Sequence, residues 1–390
     1  MRILLLSAYH AASHQQWADG LIKNLSEHDW TLLTLPPRYF NWRIRGNSLT
    51  WAFTEKETLS QHYDLILATS MVDLSSLRGM TPALTSIPTF VYFHENQFYY
   101  PISENKQTSD SKSSLNNSQV EAQLTSIYSA LCADTIIFNT HFNRDSFLSG
   151  AEKLLKKLPD GVPPNIVRRL EDKSHVIPVP IDDDLFLSRT NTKNNGSRLT
   201  IVWNHRWEYD KGPDRLLAAL KKIRPNCPLR VHILGQSFRK IPSEFTAIKE
   251  LLIENQWLGE WGYIESREKY IDVLRHSDAV LSTALHDFQG ISVLEAVATD
   301  CIPVVPNRLA YQELFSQEVL YKSYLNHEKG NFSDTKEINL EAVALSQKIE
   351  LLAEQFLSGK AINQKQNIEP LSWAQMKNKY SEAFKKTTRQ

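Results

Sequence analysis

Three cysteines in 390 residues, Cys132, Cys227 and Cys301, stand far apart with no CxxC spacing. They supply neither a disulfide framework nor a zinc site. No apolar run approaches the ~20 residues that a bilayer-spanning helix needs. The opening Met1-Arg2-Ile3-Leu4-Leu5-Leu6-Ser7 is only briefly apolar and has no small-residue cleavage site. It reads as a first strand rather than a secretion signal, and the expectation is a cytoplasmic protein. Net charge is missing too, since 44 basic side chains balance 44 acidic ones. A protein that holds a polyanion over its whole surface would be basic, so any nucleic acid must meet a local patch. Familiar catalytic signatures are also absent. There is no GxxxxGK[ST] loop, and the first turn, Ser7 to His14, carries no glycine. That disfavours an NAD-dependent oxidoreductase. His94-Glu95-Asn96-Gln97-Phe98 lacks the second histidine of HExxH, and no GxSxG elbow occurs.

Apolar residues make up 42% of the chain and charged ones 23%, ordinary for a globular protein. Disorder throughout, collagen and coiled coil are thereby excluded, and the length suits two domains. Short apolar runs ending in polar residues predict strands at 2–7, 64–69, 89–93, 134–138 and 176–180. A polar stretch at 188–198 reads as a linker. Strands restart at 199–203, 230–234, 257–263, 279–282 and 302–305, with helices between. This alternation predicts an α/β protein of two doubly wound, Rossmann-like domains, 1–187 and 199–371. The carboxyl ends of their strands are the expected ligand sites, facing a central cleft. The serine-rich run 103–118 is predicted to be mobile, as a lid or a tolerated surface insertion.

Two loops of the second half carry chemistry. Asn204-His205-Arg206-Trp207-Glu208-Tyr209-Asp210-Lys211-Gly212 follows a strand and precedes a helix. Two cations there suit a diphosphate: arginine forks onto phosphate oxygens, and lysine acts as a point charge. In the second loop, Asp287 is followed by Gly290, which permits close backbone approach, and a helix opens near Ile291 and Ser292. Its first amides favour an anion. Glu295 lies about one turn inside. Asp287 and Glu295 repel phosphate and suit the hydroxyls of a ribose and a sugar. The plain alternatives are two solvated cations, a capping aspartate and an ordinary helix glutamate.

In order and spacing, these loops resemble glycosyltransferase family 4 of the GT-B fold. That family has an Arg…Lys pair after the first strand of its C-terminal domain and later an E-x7-E motif running into Leu-Glu-Ala. Here the latter reads Asp287…Glu295 within Val293-Leu294-Glu295-Ala296, with aspartate for the first glutamate. Ser13-His14, Leu35-Pro36-Pro37, Trp42-Arg43-Ile44-Arg45, Phe93-His94-Glu95-Asn96-Gln97, Phe138-Asn139-Thr140-His141-Phe142-Asn143 and Leu158-Pro159-Asp160 resemble one subfamily, the tRNA-queuosine α-mannosyltransferases. Ala11-Ala12 replaces an expected glycine pair.

The resemblance implies a retaining enzyme that moves mannose from GDP-mannose to the cyclopentene diol of queuosine, at the anticodon wobble position of a tRNA, without metal. It implies that His94, Arg206, Lys211 and Asp287 are catalytic, that Glu295 holds the ribose, and that Gly262 and Tyr263 border the base. His14, Glu95, Asn96, Gln97, Asn139 and Asn143 would serve the acceptor. The closing helix, 372–390, would cross back to the first domain. Independently of the family, Pro36–Arg45 interleaves Arg38, Arg43 and Arg45 with Tyr39, Phe40 and Trp42 and contains no acid. Such a patch suits phosphate contact and base stacking; a packed aromatic hairpin with solvated arginines is the alternative. A family 4 enzyme with another donor or acceptor, and a non-catalytic nucleoside or RNA-binding module, complete the readings.

Overall fold

The computed structural model describes residues 1–99, 111–187, 197–237, 240–325, 334–358 and 364–389, the side chains of 111–117 excepted. Two compact units result. The first has strands β1 (Arg2–Ser7), β2 (Asp29–Thr34), β3 (Leu65–Thr69), β4 (Thr89–Phe93), β5 (Thr135–Phe138) and β6 (Ser174–Val176). Its helices are α1 (Ala12–Asn24), α2 (Phe40–Thr54), α3 (Lys56–Leu59), α4 (Leu74–Met80), α5 (Ser111–Cys132), α6 (His141–Leu155) and α7 (Ile166–Asp172). The sheet is parallel, in the order β2-β1-β3-β4-β5-β6. β3 and β4 are buried along their whole length, which is why they read as continuous apolar runs. The strand order reverses between β1 and β3.

The second unit has β7 (Leu199–Asn204), β8 (Leu229–Leu234), β9 (Leu258–Gly262), β10 (Ala279–Leu281), β11 (Ile302–Pro306) and β12 (Leu320–Tyr321). Its helices are α8 (Pro213–Leu220), α9 (Glu244–Glu254), α10 (Arg267–Arg275), α11 (Ile291–Ala298), α12 (Tyr311–Leu314) and α13 (Thr335–Leu357). This sheet is also parallel, in the order β12-β11-β10-β7-β8-β9. Its order reverses between β7 and β10. In both units the crevice beyond the strand ends at the reversal is where an open α/β sheet takes its ligand.

The chain then returns to the first unit as α14 (Trp373–Thr387). Tyr380 joins it to α1: the Trp17 indole donates to the Tyr380 hydroxyl at 3.1 Å, and that hydroxyl donates to the Pro178 carbonyl at 3.0 Å. Phe384 meets Phe90 of β4 edge-on at 5.2 Å.

Several sequence expectations change. The last strand of the first unit ends at Val176, before Pro178 and Pro180, which have no amide hydrogen to give a ladder. Ile181–Leu187 belongs to the second unit, so the boundary falls earlier than residue 187. Of the 188–198 stretch, 188–196 lie outside the described residues. The run 103–118 also divides: 103–110 lie outside the described residues, while 111–118 open α5. A helix anchored by Ala122, Ile127 and Ala130 in the core extends into that polar sequence. The aromatic-arginine segment is the start of α2 rather than a hairpin. Among the described residues no helix is long and apolar enough to cross a membrane.

Candidate functional site

In the second unit, β7 ends at Asn204, whose side-chain amide donates to the Ser292 carbonyl at 2.7 Å and to the Tyr270 hydroxyl at 2.9 Å. The strand tip is thus tied to the first turn of α11. The chain then makes a single turn at Tyr209–Lys211 and reaches Gly212, in the left-handed region at φ 66°. A side chain there would collide with the Thr283 carbonyl, so glycine is what lets the loops after β7 and β10 pack together.

Lys211 sits at that junction. Its ammonium donates to the His286 carbonyl at 2.8 Å and lies 3.4 Å from Asp210 and 3.6 Å from Asp287. Arg206 approaches Glu208 at 3.0 Å and Asp210 at 3.6 Å, and its side chain is 49% exposed. Buried Asp210 therefore bridges the two predicted cations. Asp287 also accepts from the Tyr311 hydroxyl at 2.8 Å. Burial alone would raise the Asp287 pKa, but Lys211 and the Tyr311 bond hold it below the usual value. Glu208 moves the other way, because burial outweighs Arg206 and raises its pKa. His205 and His286 are pushed down to about 4, chiefly by burial, so both are neutral near pH 7.

Gly290, at φ 74°, caps α11 with no side-chain bond to the helix amides. Tyr311 packs beneath it, where a Cβ would come within 2.8 Å of the ring. The amides at Ile291 and Ser292 are thus left without a side-chain cap, at the reversal between β7 and β10. The Ser292 hydroxyl lies 3.4 Å from His205 Nδ1. Glu295, inside the helix, accepts from the Tyr270 hydroxyl at 2.9 Å and pairs with Arg267 at 2.8 Å. Gly262 and Tyr263 lie at the end of edge strand β9, with β8 between it and β7; the Gly262 carbonyl accepts from the Gly235 amide at 3.1 Å, and Gly235 packs on the His205 carbonyl.

A buried ion network underpins both loops. The Arg308 guanidinium donates to the carbonyls of Thr283 and Ala284 at 3.3 and 3.0 Å and pairs with Glu341 at 2.5 Å. Glu341 also takes Arg215 of α8 at 3.1 Å, and the Thr283 hydroxyl donates to the Lys211 carbonyl at 2.8 Å. Sequence reading missed Asp210, Tyr311, Arg267 and this network. Asp210 had a visible signal, a carboxylate between two cations; the others are distant in sequence.

The first unit presents a different set. His14 of α1 stacks on His94, which follows β4, with ring centroids 4.2 Å apart. Trp17 and Tyr92 close around His94, each at 4.6 Å. Burial lowers both histidines, His14 to about 4 with help from His10 and His94 with help from His14. His14 Nδ1 and His94 Nε2 have no hydrogen-bond partner among the described residues.

Asn96, Asn139 and Asn143 take a role other than the expected acceptor contact. The Asn96 side chain donates to Asn143 and Ser146 and accepts from the Phe98 amide at 2.9 Å. Asn143 donates to the Phe93 carbonyl and to Asn139, which donates to the His94 carbonyl. These bonds occupy the three amides in fixing the loop that carries His94. Gln97 is buried, with its amide against Met71 sulfur, while Glu95 is half-buried.

On α2, Arg45 is balanced by Asp73 at 2.6 Å and Glu121 at 3.4 Å. Arg38 lies over the Tyr39 ring at 5.7 Å. Trp42 is 54% exposed and lies over Gly46, while Arg43 is buried. The loop clusters of the two units thus hold charges and neutral rings in arrangements suited to different ligands.

Comparison with known proteins fits this geometry. Residues 2–181 match the family described as tRNA-queuosine alpha-mannosyltransferase N-terminal, and residues 187–350 match glycosyl transferases group 1. A Drosophila melanogaster protein named tRNA-queuosine alpha-mannosyltransferase is 33% identical over 329 residues, 82% of this chain and 83% of its own. Among solved structures, sucrose-phosphate synthase from Thermosynechococcus elongatus has a TM-score of 0.66 at 12% identity, covering 99% of this chain and 98% of that one. Anabaena HepE, solved in complex with UDP, has a TM-score of 0.60 at 13% identity, covering 99% of this chain and 100% of its own; these two likenesses establish the GT-B fold. The chain is a glycosyltransferase and belongs to the tRNA-queuosine α-mannosyltransferase family.

Proposed function

We propose that the enzyme transfers mannose from GDP-mannose to the cyclopentene diol of queuosine in tRNA, with retention at the anomeric carbon, in the cytoplasm. The observation that carries this reading is the convergence of Lys211, Asp210, Asp287 and the α11 N-terminus at the order reversal of the second sheet. Breaking a glycosyl bond passes through an oxocarbenium-like transition state while negative charge grows on the leaving group. Arg206, Lys211 and the amides at Ile291 and Ser292 are aimed at that diphosphate, and no metal is needed for this role. Arg206, half exposed, exchanges its carboxylate contacts for phosphate oxygens. Asp287, held ionised by Lys211 and Tyr311, accepts from a mannose hydroxyl, and Glu295 accepts from the ribose.

His94 and His14 belong to the sugar and acceptor side. As neutral imidazoles each offers one donor and one acceptor nitrogen, which suits a diol better than an anion. Trp42 and Tyr39 offer exposed rings to unstacked bases.

Nucleoside mass analysis tests the reading, using queuosine-containing tRNA incubated with the protein and a panel of nucleotide sugars. Hexosylated queuosine formed from GDP-mannose alone is the expected result. Product from a different sugar nucleotide replaces the donor, and product on another nucleoside replaces the acceptor.

A further inference from the structure

The order reversal of the first sheet lies between β1 and β3, and the tip of β3 there is Thr69-Ser70. Both hydroxyls are buried, and neither has a hydrogen-bond partner among the described residues. Helix α2 runs past this tip. Its Asn47 donates to the Met71 carbonyl at 3.1 Å and accepts from the Asp73 amide at 3.1 Å, in the loop that leaves β3. At the other end of the helix Phe40 meets Tyr9, in the loop that leaves β1, at 6.1 Å.

Arg43 lies between Phe40 and Asn47 and is 7% exposed. Its Nε has no acceptor, and among the described residues no carboxylate pairs with its guanidinium. Arg45, two residues on, has two carboxylates. Guanidinium cannot shed its proton inside a protein, and a buried charge without a partner is costly. Among the described residues, therefore, the fold carries a buried cation with no counter-charge.

We propose that Arg43, with Ser70 and Thr69, forms a subsite for one backbone phosphate of the acceptor RNA. This deepens the proposed function and rests on its RNA acceptor. In RNA the anionic group is the phosphodiester, and its two free oxygens match the guanidinium fork. The two hydroxyls supply further donors. Tyr39 and Trp42, beside Arg43 in sequence and exposed, provide stacking surfaces for bases of a single-stranded loop.

The test is binding of a queuosine-containing anticodon stem-loop RNA to the full chain across a KCl series. Arg43→Gln should lower the slope of log affinity against log salt by about one, and Arg43→Lys should restore it. Each loop phosphate is then replaced in turn by an uncharged methylphosphonate. At one position the replacement should weaken wild type about tenfold and the Gln variant not at all. An unchanged slope, or replacements that always weaken both proteins alike, overturns the proposal. Should the Gln variant fail to fold, Ser70→Ala takes its place in the phosphate-by-phosphate comparison. One position weakened less in Ser70→Ala than in wild type then supports the subsite, and equal weakening of both proteins at every position overturns it. Failure of the mannosyl-transfer reading shows separately, as wild type forming no hexosylated queuosine, while the binding series remains readable.

Discussion

The two units share a plan, a six-stranded parallel sheet whose order reverses near its first strand, yet the chemistry at the reversals differs. In the second unit two cations and three carboxylates, Arg206, Lys211, Glu208, Asp210 and Asp287, pair with one another within neighbouring loops. In the first unit stacked neutral histidines, unpartnered hydroxyls and one buried arginine take their place. Internally paired charges can be kept preorganised without ligand and traded for a diphosphate when it arrives. The neutral rings instead present hydrogen-bonding positions without a strong field, as a polyol acceptor requires, while Arg43 and the two hydroxyls suit a phosphate.

The largest expected effect probes the frame of the charged loops. Glu341→Gln leaves Arg215 and Arg308 buried without their shared carboxylate. Chemical denaturation should show a loss of about 3–5 kcal/mol. A loss below about 1 kcal/mol, the scale of an exposed pair, would mean that the network does not hold the second unit's loops.

Lys211→Ala comes next. Removing one preorganised donor typically costs ~2.7–4 kcal/mol of barrier. Transfer assays should show kcat falling further than the accompanying loss of stability explains, since buried Asp210 and Asp287 also lose a partner. Equal loss of fold and rate would make Lys211 a structural cation and erase the contrast between the units.

Asn143→Ala probes the neutral side. It removes donors to the Phe93 carbonyl and Asn139 and takes one of three acceptors from the Asn96 amide. About 1–3 kcal/mol of stability should go, with acceptor KM rising more than donor KM as the His94 loop loosens. A rise in donor KM alone would contradict this division.

Acid acts on both units. The buried histidines His14, His205, His232 and His286 sit at about 4 when folded, below the ordinary 6.5. Below pH 6.5 the unfolded chain therefore binds protons first. Their contribution is complete above that pH and falls as pH drops toward 4, at up to ~1.4 kcal/mol per pH unit for each group. Melting temperatures flat from pH 7 to 4.5 would contradict the burial of these rings.

Legibility in the sequence followed range. Strands such as Leu65–Thr69 and Thr89–Phe93 were readable because both faces are buried and the apolar run is continuous. β2 was missed because Asp29–Thr34 is a half-buried edge. α2 was missed because Trp42 and Phe53 put large apolar groups on its exposed side, which blurs helical periodicity. Arg206, Lys211 and Gly290 were readable because each loop's chemistry is local. Glu341, 126 residues from Arg215, was not. Nor were the asparagines, whose partners came from the fold rather than the motif. Buried amides and ligand-facing amides look alike until burial is known.

Calorimetric titration of GDP into the purified protein tests the division of labour between the units most directly. The account predicts that Arg206→Ala combined with Lys211→Ala abolishes binding, while Arg43→Gln binds GDP as tightly as wild type. Wild-type affinity in the double variant, or loss of GDP binding in Arg43→Gln, would contradict it.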